Sequence, residues 1–110
     1  MVGIEQGYAV FAIDLYDGEV AKDSARAGEL AGKVRGNPAD AERKLKLALD
    51  FLEKHPSVDK NRLASLGWCF GGGMSNILAS SGDPRLKASV VYYGTPTTDP
   101  ARLKNMSRPI

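Results

Sequence analysis

One pattern narrows the fold more than any other in this sequence: short unbroken apolar runs alternate with longer segments of helical periodicity. The runs are Tyr8-Ala9-Val10-Phe11-Ala12-Ile13, Leu63-Ala64-Ser65-Leu66 and Ala88-Ser89-Val90-Val91-Tyr92-Tyr93, ended by Asp14, Gly67 and Gly94. Strict alternation would mean a half-exposed strand, whereas a continuous run suits a parallel strand covered on both faces. Between the first two runs, Ala27, Leu30, Ala31 and Val34 recur at helical spacing and Gly36 supplies a stop. Asn37-Pro38 then reads as an N-cap followed by a first-turn proline, whose missing N–H costs nothing there. The helix it opens places Ala41, Leu45, Ala48, Leu49 and Leu52 on one face and Lys44, Lys46 and Asp50 largely off it. It must end near His55, because Pro56 disfavours helical geometry in the residue before it. A turn at Val58-Asp59-Lys60-Asn61 leads into the second run. A further helix is predicted over about 72–81, closed by Gly82-Asp83-Pro84, and residues 95–110 read as a polar tail.

Strand, helix, strand, helix, strand is the alternation of an α/β layer with right-handed crossovers. Ligands in such sheets bind at the carboxyl ends of the strands. Those ends are Asp14, residues 67–69, and Tyr93-Gly94. At 110 residues the chain holds one modest core, so residues 1–110 are expected to form a single domain. With 43% hydrophobic and 25% charged residues, the composition excludes disorder. The 15 basic and 13 acidic residues leave a formal charge of +2, and no basic run clusters it. Nucleic acid and an anionic membrane are therefore not expected partners. A single cysteine rules out an intrachain disulfide. No stretch approaches the ~20 apolar residues of a membrane span. The segment from Met1 to Gly7 lacks the regions of a signal peptide, which makes a cytoplasmic location the default expectation.

The segment that carries chemistry is Gly67-Trp68-Cys69-Phe70-Gly71-Gly72-Gly73. It joins a strand to a helix and fits G-x-nucleophile-x-G with cysteine in the nucleophile place. A sharp strand-to-helix turn holds such a residue at strained backbone angles and pushes its side chain into the site. Residues two before and two after it are expected to approach too closely for a Cβ, which accounts for Gly67 and Gly71. The helix N-terminus places partial positive charge beside the sulfur. The Phe70 backbone N–H would form half of an oxyanion hole. Three other readings compete. An isolated cysteine is often a small buried hydrophobe. A dinucleotide loop starting at Gly71 would need glycine where Asn76 stands, and a Walker loop would need Gly-Lys-Ser/Thr. A redox pair would need a second cysteine.

Gly67-Trp68-Cys69-Phe70-Gly71-Gly72 resembles the cysteine elbow of dienelactone hydrolases, members of the α/β-hydrolase superfamily. The stretch from Tyr8 through Asp14-Leu15-Tyr16 resembles the family's preceding strand, and Val90-Val91-Tyr92-Tyr93-Gly94 its following one. The resemblance implies a partial α/β-hydrolase fold, three-layered with a mainly parallel sheet flanked by helices, lacking the family's N-terminal and C-terminal strands. It also implies hydrolysis of a small ester or lactone through a Cys-Asp-His triad, with no metal or organic cofactor. The family's acid and histidine fall after the third strand, beyond Ile110, so the catalytic machinery is expected to be incomplete and the isolated chain to turn over little or nothing.

A thiolate needs a base to return a proton to the leaving group. His55 is the only histidine, but it ends a helix that leads into a strand and so faces away from Cys69; a helix-end cap is the expected role. Asp14 lies at the correct end of its strand for substrate contact, against the plainer reading that it satisfies turn N–H groups. Asp17 and Glu19 read as loop solvation. For the family's carboxylate-binding arginines, Arg26 and Lys22 are the candidates. Trp68 and Phe70 either line a substrate pocket or fill the core beside the turn.

Two further functions stand beside the hydrolase: a non-catalytic assembly module derived from the fold, and a thiol-reactive protein using Cys69 alone. The resemblance also implies that a strand absent from this chain runs between residues 8–13 and the strand at 63–66. Unpaired strand edges are templates for pairing with another chain, so a homodimer or larger assembly through sheet edges is expected.

Overall fold

A computed structural model describes residues 2–110, with side chains from Gln6 onward. The chain begins with β1 (Val2–Glu5) and β2 (Tyr8–Phe11), then two helices, α1 (Ser24–Arg35) and α2 (Pro38–Lys54). β3 (Leu63–Gly67), α3 (Phe70–Ser80), β4 (Leu86–Val91) and the short α4 (Pro100–Leu103) follow.

The helix signals in the sequence operate as expected. Asn37 caps α2, its side chain accepting from the Asp40 N–H at 3.2 Å, with Pro38 opening the first turn and His55 at the C-cap. Gly36 ends α1, and Asp23 caps its start by accepting from the Arg26 N–H. On α2, Ala41, Leu45, Ala48 and Leu49 are buried. Ala41, Leu45 and Leu49 join Leu63, Met74, Leu78 and Leu86 in the core, with Ile13, Leu15, Val34 and Leu52 packed against it.

β3 and β4 pair in parallel, Ser65 opposite Ser89 and Leu66 opposite Val90. The crossover between them is α3, as the alternation requires. Beneath the pair, the Ser65 hydroxyl bonds both Ser75 Oγ (2.6 Å) on α3 and Ser89 Oγ (2.9 Å), which satisfies three polar groups in one small network.

The first apolar run behaves differently from its reading as a parallel strand covered on both faces. β2 pairs antiparallel with β1, and Tyr8 and Val10 are exposed. The local cause is Gln6-Gly7, whose φ angles of 51° and 82° make the left-handed two-residue hairpin turn that matches strand twist. The two sheets are separate, each of two strands. Helix α3 packs against β3 and β4, and α2 packs against α3. The molecule measures 38 × 34 × 22 Å. The tail is not simply polar coil. Asp99 accepts from the Ala101 N–H and Pro100 opens α4, a capping signal that composition alone obscured. No helix among the described residues is long and apolar enough to cross a membrane.

Candidate functional site

The strand-to-helix turn is built by backbone crowding. Cys69 sits at the N-cap of α3 with φ 57° and ψ −122°, a left-handed conformation that costs a non-glycine residue on the order of 1–3 kcal/mol. Its side chain makes no capping bond and is exposed. A Cβ on Gly67 would lie 2.1 Å from the Gly71 carbonyl oxygen, so β3 and the first turn of α3 touch backbone to backbone. A Cβ on Gly71 itself would meet nothing within 4 Å, which corrects the expectation that it must be glycine for space. The second crowded position is Gly72, where a Cβ would fall 1.9 Å from the Tyr93 carbonyl oxygen, and Gly94 reciprocates against Gly72. The reason is the orientation of α3: it lies against the ends of both β3 and β4, and its residue 72, not 71, faces the second strand. The Tyr92 N–H donates to the Gly67 carbonyl (3.1 Å), tying the two strand ends together.

Cys69 and Phe70 open onto a cleft of about 520 Å³, between the α1–α2 junction, α3 and the segment after β4. Its walls include Arg35, Pro38 and Glu42 on one side and Thr95, Pro96, Thr97 and Arg102 on the other, with Met74, Asn76 and Ile77 on α3. The Phe70 ring is held between Tyr16 (6.0 Å between centroids) and the Arg35 guanidinium (5.1 Å). It borders the cleft and also packs on the core. As first residues of α3, Phe70 and its neighbours have backbone N–H groups without intrahelical acceptors.

The far wall is latched to the helices. Arg102 reaches Glu42 (2.8 Å), Ser80 Oγ (3.0 Å) and the Ile77 carbonyl (2.9 Å), and Asn76 Nδ2 donates to the Thr95 carbonyl (3.3 Å). These cleft residues escaped sequence reading, since the cap signal at Asp99-Pro100 locates α4 but not its partners.

The other candidates lie outside the cleft. Trp68 is 60% exposed on the opposite face of the sheet, neither lining the cleft nor filling the core. Asp14 accepts from the Tyr16 and Gly18 N–H groups (2.8 and 2.7 Å), the turn role weighed for it. His55 caps α2, accepts at Nδ1 from the Ser57 N–H (3.2 Å) and lies against Phe51. Arg26 is engaged by Glu19 and Glu29; the Arg26 guanidinium holds the Glu19 carboxyl below its usual range. Lys44 binds Asp17 and Asp40, and the bond to Asp17 raises its ammonium pKa. Among the described residues no group of histidine, cysteine and carboxylate side chains is placed to hold a metal ion.

With this geometry in view, the sequence profile of the dienelactone hydrolase family matches residues 3–110. The chain belongs to the dienelactone hydrolase family. Protein usf of Aquifex pyrophilus is 29% identical over 107 residues, covering 96% of this chain and 46% of that protein. The "Probable 2-oxo-3-(5-oxofuran-2-ylidene)propanoate lactonase" of a Bradyrhizobium species is 30% identical over 91 residues, 80% of this chain and 35% of that protein. Among solved structures, a dienelactone hydrolase-like promiscuous phosphotriesterase from metagenomic libraries aligns with a TM-score of 0.81 and 29% identity. That alignment covers 93% of this chain and 43% of that one. This dienelactone hydrolase family chain therefore spans less than half the length of the relatives it matches and carries part of their α/β-hydrolase fold.

Proposed function

We propose that the chain carries the nucleophile portion of a carboxylic-ester or lactone hydrolase, with Cys69 attacking the substrate carbonyl. The observation that carries this reading is the left-handed Cys69 at the N-cap of α3, its side chain uncapped and at the edge of the cleft. Such a turn is the nucleophile elbow of G-x-nucleophile-x-G sites. In the first half-reaction the thiolate sulfur bonds to the carbonyl carbon and the C=O electron pair moves to oxygen, for which the Phe70 N–H is the proposed hydrogen-bond donor. Collapse of that intermediate re-forms the carbonyl, breaks the carbon–oxygen bond and releases the alcohol oxygen, which takes up a proton, leaving a thioester. Hydrolysis of the thioester needs a base to deprotonate water. His55 is committed at the end of α2, so the described residues support acylation and not efficient turnover.

An activated aryl ester tests this. Mixing should release close to one equivalent of phenol per chain, followed by a steady rate hardly above background, and Cys69→Ala should abolish the burst. A burst of the same size in Cys69→Ala would sink the assignment.

A further inference from the structure

A left-handed residue such as Cys69 keeps its backbone angles only where the surroundings over-determine them. The helix behind it is poorly equipped for that. Its first turn, Phe70-Gly71-Gly72-Gly73, is rich in glycine, the weakest helix former after proline, and Cys69 supplies no side-chain cap. The Gly67–Gly71 and Gly72–Tyr93 approaches are steric stops, which limit how close α3 comes to the strands and attract nothing. Met74 and Leu78 do attract, as members of the core, but apolar burial has no direction and leaves the slide and roll of the helix free.

A directional bond from α3 to the sheet is made by Ser75. Ser65 and Ser89 stand opposite each other in the β3–β4 register. Ser65 Oγ donates to Ser89 Oγ (2.9 Å), and since a hydroxyl has one proton, it accepts from Ser75 Oγ at 2.6 Å. A serine inside a helix commonly turns to solvent or bonds back to its own helix, whereas this one reaches across to the strands. Ser75 and Ser89 are only 4% and 3% exposed. Sliding the helix would therefore strand buried hydroxyls without partners, a penalty that apolar side chains in these places would not impose. The Ser65–Ser75 bond also closes a ten-residue stretch of chain with Cys69 inside it.

We propose that Ser65, Ser75 and Ser89 are positioning residues for Cys69, resting on the reading of Cys69 as the nucleophile. The relay from Ser75 through Ser65 to Ser89 sets the seat of α3 on the two strands, and that seat fixes where the sulfur stands at the head of the helix. None of the three touches the substrate. They act through the backbone of the turn, so losing the relay should slow attack by the sulfur without changing how the ester binds.

Threonine and valine share a shape and differ in the hydroxyl, so Ser65→Thr and Ser65→Val isolate the relay. Rapid-mixing measurement of phenol release from an activated aryl ester separates burst amplitude, which counts competent chains, from burst rate, which reads the placement of the sulfur. Ser65→Thr should match the unaltered chain in both. Ser65→Val should keep its amplitude and its half-saturating ester concentration but lose about tenfold or more in rate, since a misplacement of about 1 Å can cost on the order of a hundredfold. Ser75→Ala, which adds a good helix former, should show the same loss and decides the matter if Ser65→Val does not fold. Iodoacetamide should alkylate Cys69 more slowly in both slowed variants. A full-amplitude burst at the unaltered rate in Ser65→Val would overturn the proposal. So would equal slowing in Ser65→Thr and Ser65→Val, which would implicate shape, or a loss confined to amplitude, which would mean stability alone. An unaltered chain without a Cys69-dependent burst would sink the ester reading instead. Alkylation then judges the relay by itself, and equal rates in the threonine and valine variants would overturn it.

Discussion

Alanine at two adjacent glycines of α3 should have opposite effects. At Gly72 the new Cβ would lie 1.9 Å from the Tyr93 carbonyl oxygen, against 3.4 Å for ordinary contact, so something must move by about 1.5 Å. Neither side yields easily. The oxygen belongs to backbone running into Gly94, itself in contact with the Gly72–Gly73 peptide, and α3 is pinned to β3 by the equally tight Gly67–Gly71 approach. Overpacking of this kind costs ~3 kcal/mol or more, offset by at most ~1 kcal/mol from replacing a helical glycine. A net loss of ~2 kcal/mol is expected, a large part of the stability of a domain this size. At Gly71 no atom lies within 4 Å of the new Cβ, so Gly71→Ala keeps the helix-propensity gain and should be neutral or stabilising by up to ~1 kcal/mol. Urea titrations of the two variants should separate by ~1–2 M in midpoint, given slopes typical of small domains. Midpoints that coincide, or a Gly71→Ala variant less stable than Gly72→Ala, would refute the argument that α3 seats on β4 through residue 72.

Two further outcomes follow from ion pairs. Arg85 bonds Asp83 through Nε and Nη2 (3.0 and 2.8 Å) and also engages Asp50, and this guanidinium holds the Asp83 carboxyl below its ordinary 3.8. A folded pKa below the unfolded one means stability that is complete above about 4 and lost as pH falls through the lower folded value. Asp83→Asn should flatten that acid limb, by less than ~1 kcal/mol for a partly solvated pair, in urea midpoints compared at neutral and strongly acidic pH; an unchanged limb would refute it. Arg102→Ala should cost ~1–3 kcal/mol, since it abandons Glu42, the fully buried Ser80 and the Ile77 carbonyl, and should speed amide exchange across residues 95–105. Exchange that stays at its original rate would show that the latch does not hold the cleft wall.

The elements that short-range rules govern were legible in the sequence. Asn37-Pro38 and Pro56 bound α2 to within a residue, because capping and proline sterics act over one turn of chain. The G-x-C-x-G spacing located the turn at Cys69 for the same reason, since a backbone reversal of that sharpness demands glycine beside it. What depended on distant chain was not legible. The run at 8–13 has the composition of a strand buried on both faces, yet it is half uncovered, because burial depends on neighbours that no local pattern specifies. Gly71 and Gly72 are indistinguishable in the sequence, and only the position of Tyr93 just beyond β4, 21 residues after Gly72, makes one essential and the other free. Arg102 likewise becomes a wall of the cleft only when α4 folds back on Glu42, 60 residues earlier. Local sequence thus determined which segments are helix, strand and turn and where Cys69 is displayed. Tertiary structure decided what Cys69 faces and which apolar surface is left open, because contacts between remote segments are set by the packing of whole elements and not by the residues adjoining them.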